Sequence, residues 1–147
     1  MTQGKIEIVR RSLAPGLIFS LFCNFTRPPK PKLLLLLTVD AYPRVFAINT
    51  NIPSLIQKDS EMLQTQVLLE RRKHPFLNHD SYVDCSKAIQ VNGLALRDLK
   101  SELIKNISAI KGRISPDARA LVVEAIRSSS TLERRMKRYL SECLMGS

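Results

Sequence analysis

Residues 71–91 hold a group of polar side chains whose types suit binding or acid–base chemistry. His74 and His79 lie there with Asp80, and an imidazole exchanges its proton near neutral pH. The Asn, Asp and Pro residues around them predict a loop, and residues 81–85 alternate as a half-buried strand does. Binding and catalytic groups often lie on loops that rigid strands support. The alternative interpretation is that His79-Asp80 only completes a turn and that His74 is a solvated surface residue.

The length, composition and charge of the chain predict one globular domain that binds a polyanion. The chain has 147 residues, of which 44% are apolar and 24% are charged, as in ordinary folded proteins. Its net charge is +10, which makes phosphate polyanions the expected partners, although a membrane surface or an acidic protein would satisfy the same charge. We therefore treat residues 1–147 as a single domain.

The cysteines and the most apolar run exclude several classes of protein. Cys23, Cys85 and Cys143 are far apart and form no CxxC pair, which predicts neither a disulfide framework nor a zinc site and favours a cytoplasmic location. Residues 33–39 are intensely apolar but far shorter than the roughly 20 residues that cross a bilayer, so they predict a buried strand. We expect no metal, no cofactor and no membrane partner.

Short apolar runs separated by turn residues predict an antiparallel β region. The predicted strands are residues 17–23, 33–39, 44–50, 66–70, 81–85 and 87–91. Residues 24–32 contain three prolines and three basic residues, which predicts an extended basic loop that either follows a phosphate backbone or is simply solvated. Residues 5–13 fit a short strand and a helical turn equally well.

After residue 93 the apolar residues recur at steps of three and four, which predicts helices. The first helix runs from Leu96 to Ile110 and ends at Gly112. Ser115-Pro116 predicts the start of a second helix, residues 118–127. Its predicted inward face is Leu121, Val122, Ala125 and Ile126. A third helix, residues 132–144, is strongly basic; we interpret its charges as a solvated face, with nucleic-acid binding as the alternative.

These elements together predict an α+β fold, mainly β, with C-terminal helices. Residues 15–92 form a small antiparallel barrel in this prediction, and residues 93–147 form a helical extension of two or three helices.

The order of the segments resembles the MazF/PemK toxin family, whose members fold as small SH3-like barrels. Residues 15–18, PGLI, resemble the opening Gly-Asp-Ile strand of that family, and Lys30-Pro31 before an apolar strand resembles its Arg-Pro pair. Residues 45–50 resemble the following strand, which ends in Thr or Ser, and residues 81–89 resemble a late strand that leads to a basic residue and Ile. The resemblance covers residues 15 to 92 and rests on the order of short motifs. The sequence departs from the family in its longer C-terminal helices and at the Arg-Pro pair, for which Arg27-Pro28 is the alternative.

The resemblance implies a metal-independent endoribonuclease that cuts single-stranded RNA through attack of the substrate's own 2′-hydroxyl. Such chemistry needs a cation at the phosphorane and groups that transfer protons. The resemblance implies that Arg27 or Lys30 supplies the cation, that Thr50 donates a hydrogen bond, and that His79 or Asp80 transfers protons. The further residues expected to contact RNA are Phe25, Lys32, Tyr82 and His74, with core packing as the alternative for the two aromatic side chains.

The same resemblance implies the partners of the protein. We expect single-stranded RNA as substrate, an acidic antitoxin protein of a type II toxin-antitoxin system, and a homodimer. The alternative function is a catalytically inactive SH3-like module that binds protein or nucleic acid in a defence or regulatory complex.

Overall fold

The computed structural model describes residues 2–146, with side chains from residue 3 onward. Its strands are β1 (Leu17–Cys23), β2 (Lys30–Leu36), β3 (Arg44–Asn49), β4 (Gln66–Leu69), β5 (Ser81–Asp84), β6 (Ile89–Gln90) and β7 (Ile110–Arg113). Its α-helices are α1 (Thr2–Ser12), α2 (Ser54–Gln57), α3 (Ser60–Leu63), α4 (Leu96–Lys105), α5 (Pro116–Ser128) and α6 (Arg134–Met145). Two short 3-10 turns cover Arg71–Lys73 and Ile107–Ala109.

The strands form one antiparallel sheet that curls into a half-barrel. Their order is β4-β5-β3-β2-β1-β7, and β6 pairs with β3 beside this path. Neighbouring strands β1, β2 and β3 also follow one another in the chain, as expected when the connections are short. The predicted α+β fold with an antiparallel sheet and C-terminal helices is therefore confirmed.

Apolar residues cover both faces of this sheet. On one face Leu35 and Leu37 pack in a core with α5 and α6, which contribute residues such as Val122 and Leu140. On the other face Leu34 and Leu36 pack in a second core with α1 and α4. Successive residues of a strand point to opposite faces, so an unbroken run of leucines supplies both cores at once. The helices are needed because each face would otherwise expose apolar surface to water.

Strand β7 replaces the end of a predicted helix. The helix that starts at Leu96 ends at Lys105, and Ile110–Arg113 pairs with β1. Gly112 does not stop a helix here: it lies in the strand, where a Cβ atom would come within 2.9 Å of Cε2 of Phe76. Close packing against this ring therefore explains the glycine, and pairing with β1 decides the backbone conformation.

The limits of two other elements also differ from the prediction. Strand β2 begins at Lys30, within the predicted loop, because Lys30, Pro31 and Lys32 pair with the end of β1. The ambiguous residues 5–13 fall largely in helix α1, where Glu7 accepts hydrogen bonds from Arg10 and Arg11 one turn later.

Helix α5 begins as predicted, but its buried face differs slightly from the predicted one. The Ser115 hydroxyl accepts a hydrogen bond from the Ala118 N–H, and Pro116 occupies the first turn. Leu121, predicted to face inward, is 55% exposed, whereas Val122 and Ile126 are buried. Val123 is buried in its place, so the apolar stripe is shifted by part of a turn.

His74 joins the 70–80 loop to the start of α5. Its side chain is completely buried, with Nδ1 2.9 Å from the carbonyl oxygen of Glu70. The Ser115 N–H donates to Nε2 at 3.0 Å, so Nε2 is the unprotonated nitrogen and Nδ1 is the donor to Glu70. Outside this contact, Lys73 Nζ donates to Asp117 Oδ2 at 2.9 Å across the same junction. The surface-residue interpretation of His74 is thereby replaced by a buried structural position.

Replacement of His74 by alanine should lower the free energy of unfolding by about 2–4 kcal/mol, because it opens a cavity and leaves the Ser115 N–H without its acceptor. Urea denaturation measures this loss. His79→Ala is the matched control and should change the stability by less than about 0.5 kcal/mol, since His79 is exposed. Equal effects of the two substitutions would show that the buried hydrogen bonds of His74 contribute little.

Candidate functional site

A cleft of about 510 Å³ lies where β2 begins and β3 ends. We call it the strand-end cleft. Its floor is apolar, with Leu33, Ile48, Phe76 and Leu77, and its polar lining is Lys30, Lys32, Asn49, Thr50, Asn51, Asn78, His79 and Ser81. A concave site of this size with a few convergent polar groups is typical of ligand binding.

Strand pairing places the residues of this cleft. The antiparallel register pairs Leu33 with Ile48, so the start of β2 lies beside the end of β3. Residue 50 follows β3 directly, and Ser81 begins β5, which pairs with β3 through Ile48 and Val83. The backbone ladder thus brings side chains from three separate segments of the chain to one end of the sheet.

Lys32 is the most constrained cation of the cleft. Its Nζ donates a hydrogen bond to Oδ1 of Asn49 on the neighbouring strand. Burial lowers the pKa of Lys32, and the positive charge of Lys30 lowers it further, while Cys23 and Asp84 act in the opposite direction. The two positive charges therefore repel each other, and a bound anion would reduce this repulsion.

His79 presents a nitrogen that can accept a proton. Its Nδ1 lies 3.1 Å from the carbonyl oxygen of Asp80 and 3.4 Å from Oγ of Ser81. A carbonyl oxygen can only accept, so Nδ1 carries a proton, and in the neutral ring Nε2 is then the nitrogen with the lone pair. The ring is exposed at the rim of the cleft, where a ligand can reach it.

The cleft brings together four of the predicted site residues, Lys30, Lys32, Thr50 and His79. Asp80 does not line it. Its Oδ1 accepts a hydrogen bond of 2.8 Å from the Arg71 N–H, and the residue lines a different cavity with Arg71, Arg72 and Pro75. Asp80 is thus placed to hold the loop rather than to face the cleft.

The remaining predicted site residues lie elsewhere. His74 is buried beneath the loop. Arg27 and Phe25 belong to the exposed turn between β1 and β2, and neither lines the strand-end cleft. Tyr82 is half-buried on β5 and pairs with Asn49, on the opposite side of that strand from buried Ser81 and Val83.

Asn49, Asn51, Asn78 and Ser81 line the cleft but were not predicted as site residues. Asn49 is the last residue of β3, and Ser81 is the first residue of β5. Only the register of the sheet shows that they lie close together. No short motif signals such a meeting.

Comparison with known proteins gives no relatives: no protein-family model, curated protein or solved structure matches this chain. Within residues 2–146, no three His, Cys, Asp or Glu side chains are grouped so that they could hold a metal ion. No helix in that part of the chain is long and apolar enough to cross a membrane. The resemblance to the MazF/PemK family therefore stays a prediction.

Substitution of Lys30 by alanine should raise the pKa of Lys32 part of the way to its ordinary value, because one of the two main causes of the lowered pKa is removed and burial remains. NMR titration of the lysine Cε signals measures the pKa. Lys58→Ala, at an exposed position after α2, is the control and should leave it unchanged. A Lys32 pKa that is the same with and without Lys30 would contradict charge coupling in the cleft.

Proposed function

We propose that the protein is a metal-independent endoribonuclease that cuts single-stranded RNA in the strand-end cleft, as the toxin of a type II toxin-antitoxin system. The observation that carries this proposal is the position of His79, which lines the same cleft as Lys30, Lys32 and Thr50 and whose Nε2 can accept a proton when the ring is neutral. Proton transfer and positive charge at one phosphate are the two requirements of the reaction.

Each of these groups has a defined task in the proposed reaction. The 2′-hydroxyl of the substrate attacks the adjacent phosphorus, and Nε2 of His79 takes the hydroxyl proton as general base. Lys30 and Lys32 stabilise the negative charge that grows on the phosphorane oxygens, and the Thr50 hydroxyl donates a hydrogen bond there. The bond between phosphorus and the 5′-oxygen then breaks, and the 5′-oxygen takes up a proton from water. The products carry a 2′,3′-cyclic phosphate and a 5′-hydroxyl.

The cleft has the right polarity for this substrate. Lys30 takes part in no ion pair within the described residues, and Lys32 is bound to the neutral amide of Asn49 rather than to a carboxylate. Neither cation is neutralised before the substrate arrives, so the attraction for a phosphate is retained. The apolar floor around Phe76 gives a base a surface on which to pack.

Replacement of His79 by alanine should lower the rate of RNA cleavage about a hundredfold or more while leaving RNA affinity nearly unchanged, because a proton acceptor is lost and no phosphate contact is removed. The assay is cleavage of a long single-stranded RNA in EDTA, with detection of cyclic-phosphate ends. An RNA with 2′-O-methyl groups should bind and stay intact, since its attacking hydroxyl is blocked.

Asp80→Asn is the matched control for this assay. The amide keeps an oxygen that can accept from the Arg71 N–H, and the residue does not line the cleft, so cleavage should continue at the normal rate. If the unmodified protein binds RNA and leaves it intact, the endonuclease proposal fails and the protein is an RNA-binding module.

An acidic antitoxin is the protein partner that fits this proposal. Carboxylates of its chain would pair with Lys30 and Lys32 and occupy the space that the RNA backbone needs. A partner of this chemistry should compete with RNA for binding, and simultaneous binding of both would argue for a different surface.

We also propose that the protein forms a homodimer through the outer edge of β4. This strand pairs only with β5 in the described sheet, so its other edge has free backbone groups. Leu68 on β4 and Leu121 on α5 are exposed and line one shallow cavity of about 360 Å³ beside this edge. A second copy offers the same edge and the same leucines, which a two-fold contact requires.

The dimer should have about twice the chain mass of 16.6 kDa in light scattering. Leu121→Glu should give the single-chain mass, because it buries a charge in the proposed contact. Leu55→Glu is the control: Leu55 is 84% exposed on α2, outside the cavity, and its replacement should leave the dimer intact. A single-chain mass for the unmodified protein at micromolar concentration would contradict the proposal.

A further inference from the structure

A second cleft lies between the end of α5 and one face of α6. Its volume is about 550 Å³, and its lining is Arg127, Arg134, Lys137, Arg138, Ser141, Glu142, Met145 and Gly146. We call it the α5–α6 cleft. It shares no residue with the strand-end cleft, so it is a separate site.

Helical periodicity explains why these side chains meet. Positions 134, 137, 138, 141 and 145 recur at steps of three and four and therefore lie along one face of α6. Arg127 comes from the last turn of α5 and closes the other side. Three of the four basic residues of α6 thus line the cleft, and Arg135 does not.

The cations of this cleft are not neutralised by protein carboxylates. Lys137 Nζ donates to the carbonyl oxygen of Arg127 at 3.4 Å, and the Arg127 guanidinium faces the weakly accepting sulfur of Met145. None of the ion pairs found in residues 2–146 includes Arg127, Arg134, Lys137 or Arg138. Glu142 contributes one negative charge to the lining, which leaves an excess of positive charge.

Ser141 supplies an independent indication of a ligand. The residue is only 5% exposed, and its Oγ has no hydrogen-bond partner although the atom is buried. A buried hydroxyl without a partner destabilises the folded protein, so such groups usually have a ligand or a function. Ser141 lines the same cleft as the four cations, and rotation about its Cα–Cβ bond would turn the buried hydroxyl towards an anion bound there.

We propose that the α5–α6 cleft binds the phosphate group of a small phosphorylated molecule of nucleotide size. Guanidinium groups match phosphate oxygens with paired N–H donors, and the Ser141 hydroxyl adds a donor once its side chain rotates towards the cleft. The cleft has the volume of a small-molecule site, and cations from both α5 and α6 line it. The proposal does not depend on RNA cleavage, which is assigned to the other cleft.

Isothermal titration of the full chain with AMP, inorganic phosphate and adenosine tests the proposal. AMP and phosphate should bind, and adenosine, which lacks the phosphate, should not. Arg138→Gln and Ser141→Ala should each weaken AMP binding roughly tenfold or more, because each removes a hydrogen bond to a charged group. Arg135→Gln, on the same helix but outside the cleft, is the matched control and should bind AMP normally.

Ser141→Ala has a second readout that separates a ligand role from a packing role. Removal of an unsatisfied buried hydroxyl should raise the melting temperature of the ligand-free protein while affinity for AMP falls. A higher melting temperature with unchanged affinity would overturn the proposal.

Three other results would also overturn it. One is the absence of AMP binding at millimolar concentration, and another is binding to anionic vesicles with no binding to AMP or phosphate. The third is AMP binding that Lys30→Ala abolishes and Arg138→Gln leaves intact, because the nucleotide would then occupy the strand-end cleft. Cleavage of RNA by the Arg138→Gln variant is measured separately, so failure of one proposal is distinguishable from failure of the other.

Discussion

The burial of β2 on both faces is the constraint on which the rest of the structure depends. Leu34 to Leu37 are all completely buried, and full burial of each such side chain stabilises the fold by about 1.5–3 kcal/mol. This burial requires cover on two sides, so α5 and α6 pack on one face while α1 and α4 pack on the other. The central strands therefore cannot shift by one residue in register without moving leucines between the two cores.

The strand-end cleft lies at the end of the sheet, where β2 is no longer buried on both faces. Before Leu33 the strand consists of Lys30, Pro31 and Lys32, which are exposed or half-buried. The 70–80 loop forms the opposite wall, and its position depends on the hydrogen bonds that His74 makes to Glu70 and Ser115. The two histidines of the loop thus differ: His74 is buried and holds the loop in place, whereas His79 is exposed at the cleft.

The sequence predicts the parts of this structure that local patterns determine. Strand β1 lies at Leu17–Cys23 as predicted, and Ser115 caps α5 as its position before Pro116 indicates. Other features depend on distant partners. The burial of His74 depends on its hydrogen bond with Ser115. Strand β7 has no apolar pattern of its own and forms because it can pair with the edge of β1. Asn49 contacts Lys32 only because of the strand register. The fold class could therefore be predicted from the sequence, whereas the residues that line the site could be identified only from the pairing of the strands.

In the described sheet the continuous path of paired strands ends at β4 and at β7, and these two strands differ in charge. If β4 of one molecule paired with β7 of the next, the contact would repeat without closing and would build a filament. Strand β7 carries Lys111 and Arg113, both exposed, and charged residues on an edge, above all lysine, oppose the addition of another strand. These two positive charges line neither cleft. We therefore expect these charges to disfavour head-to-tail growth of a filament through β7.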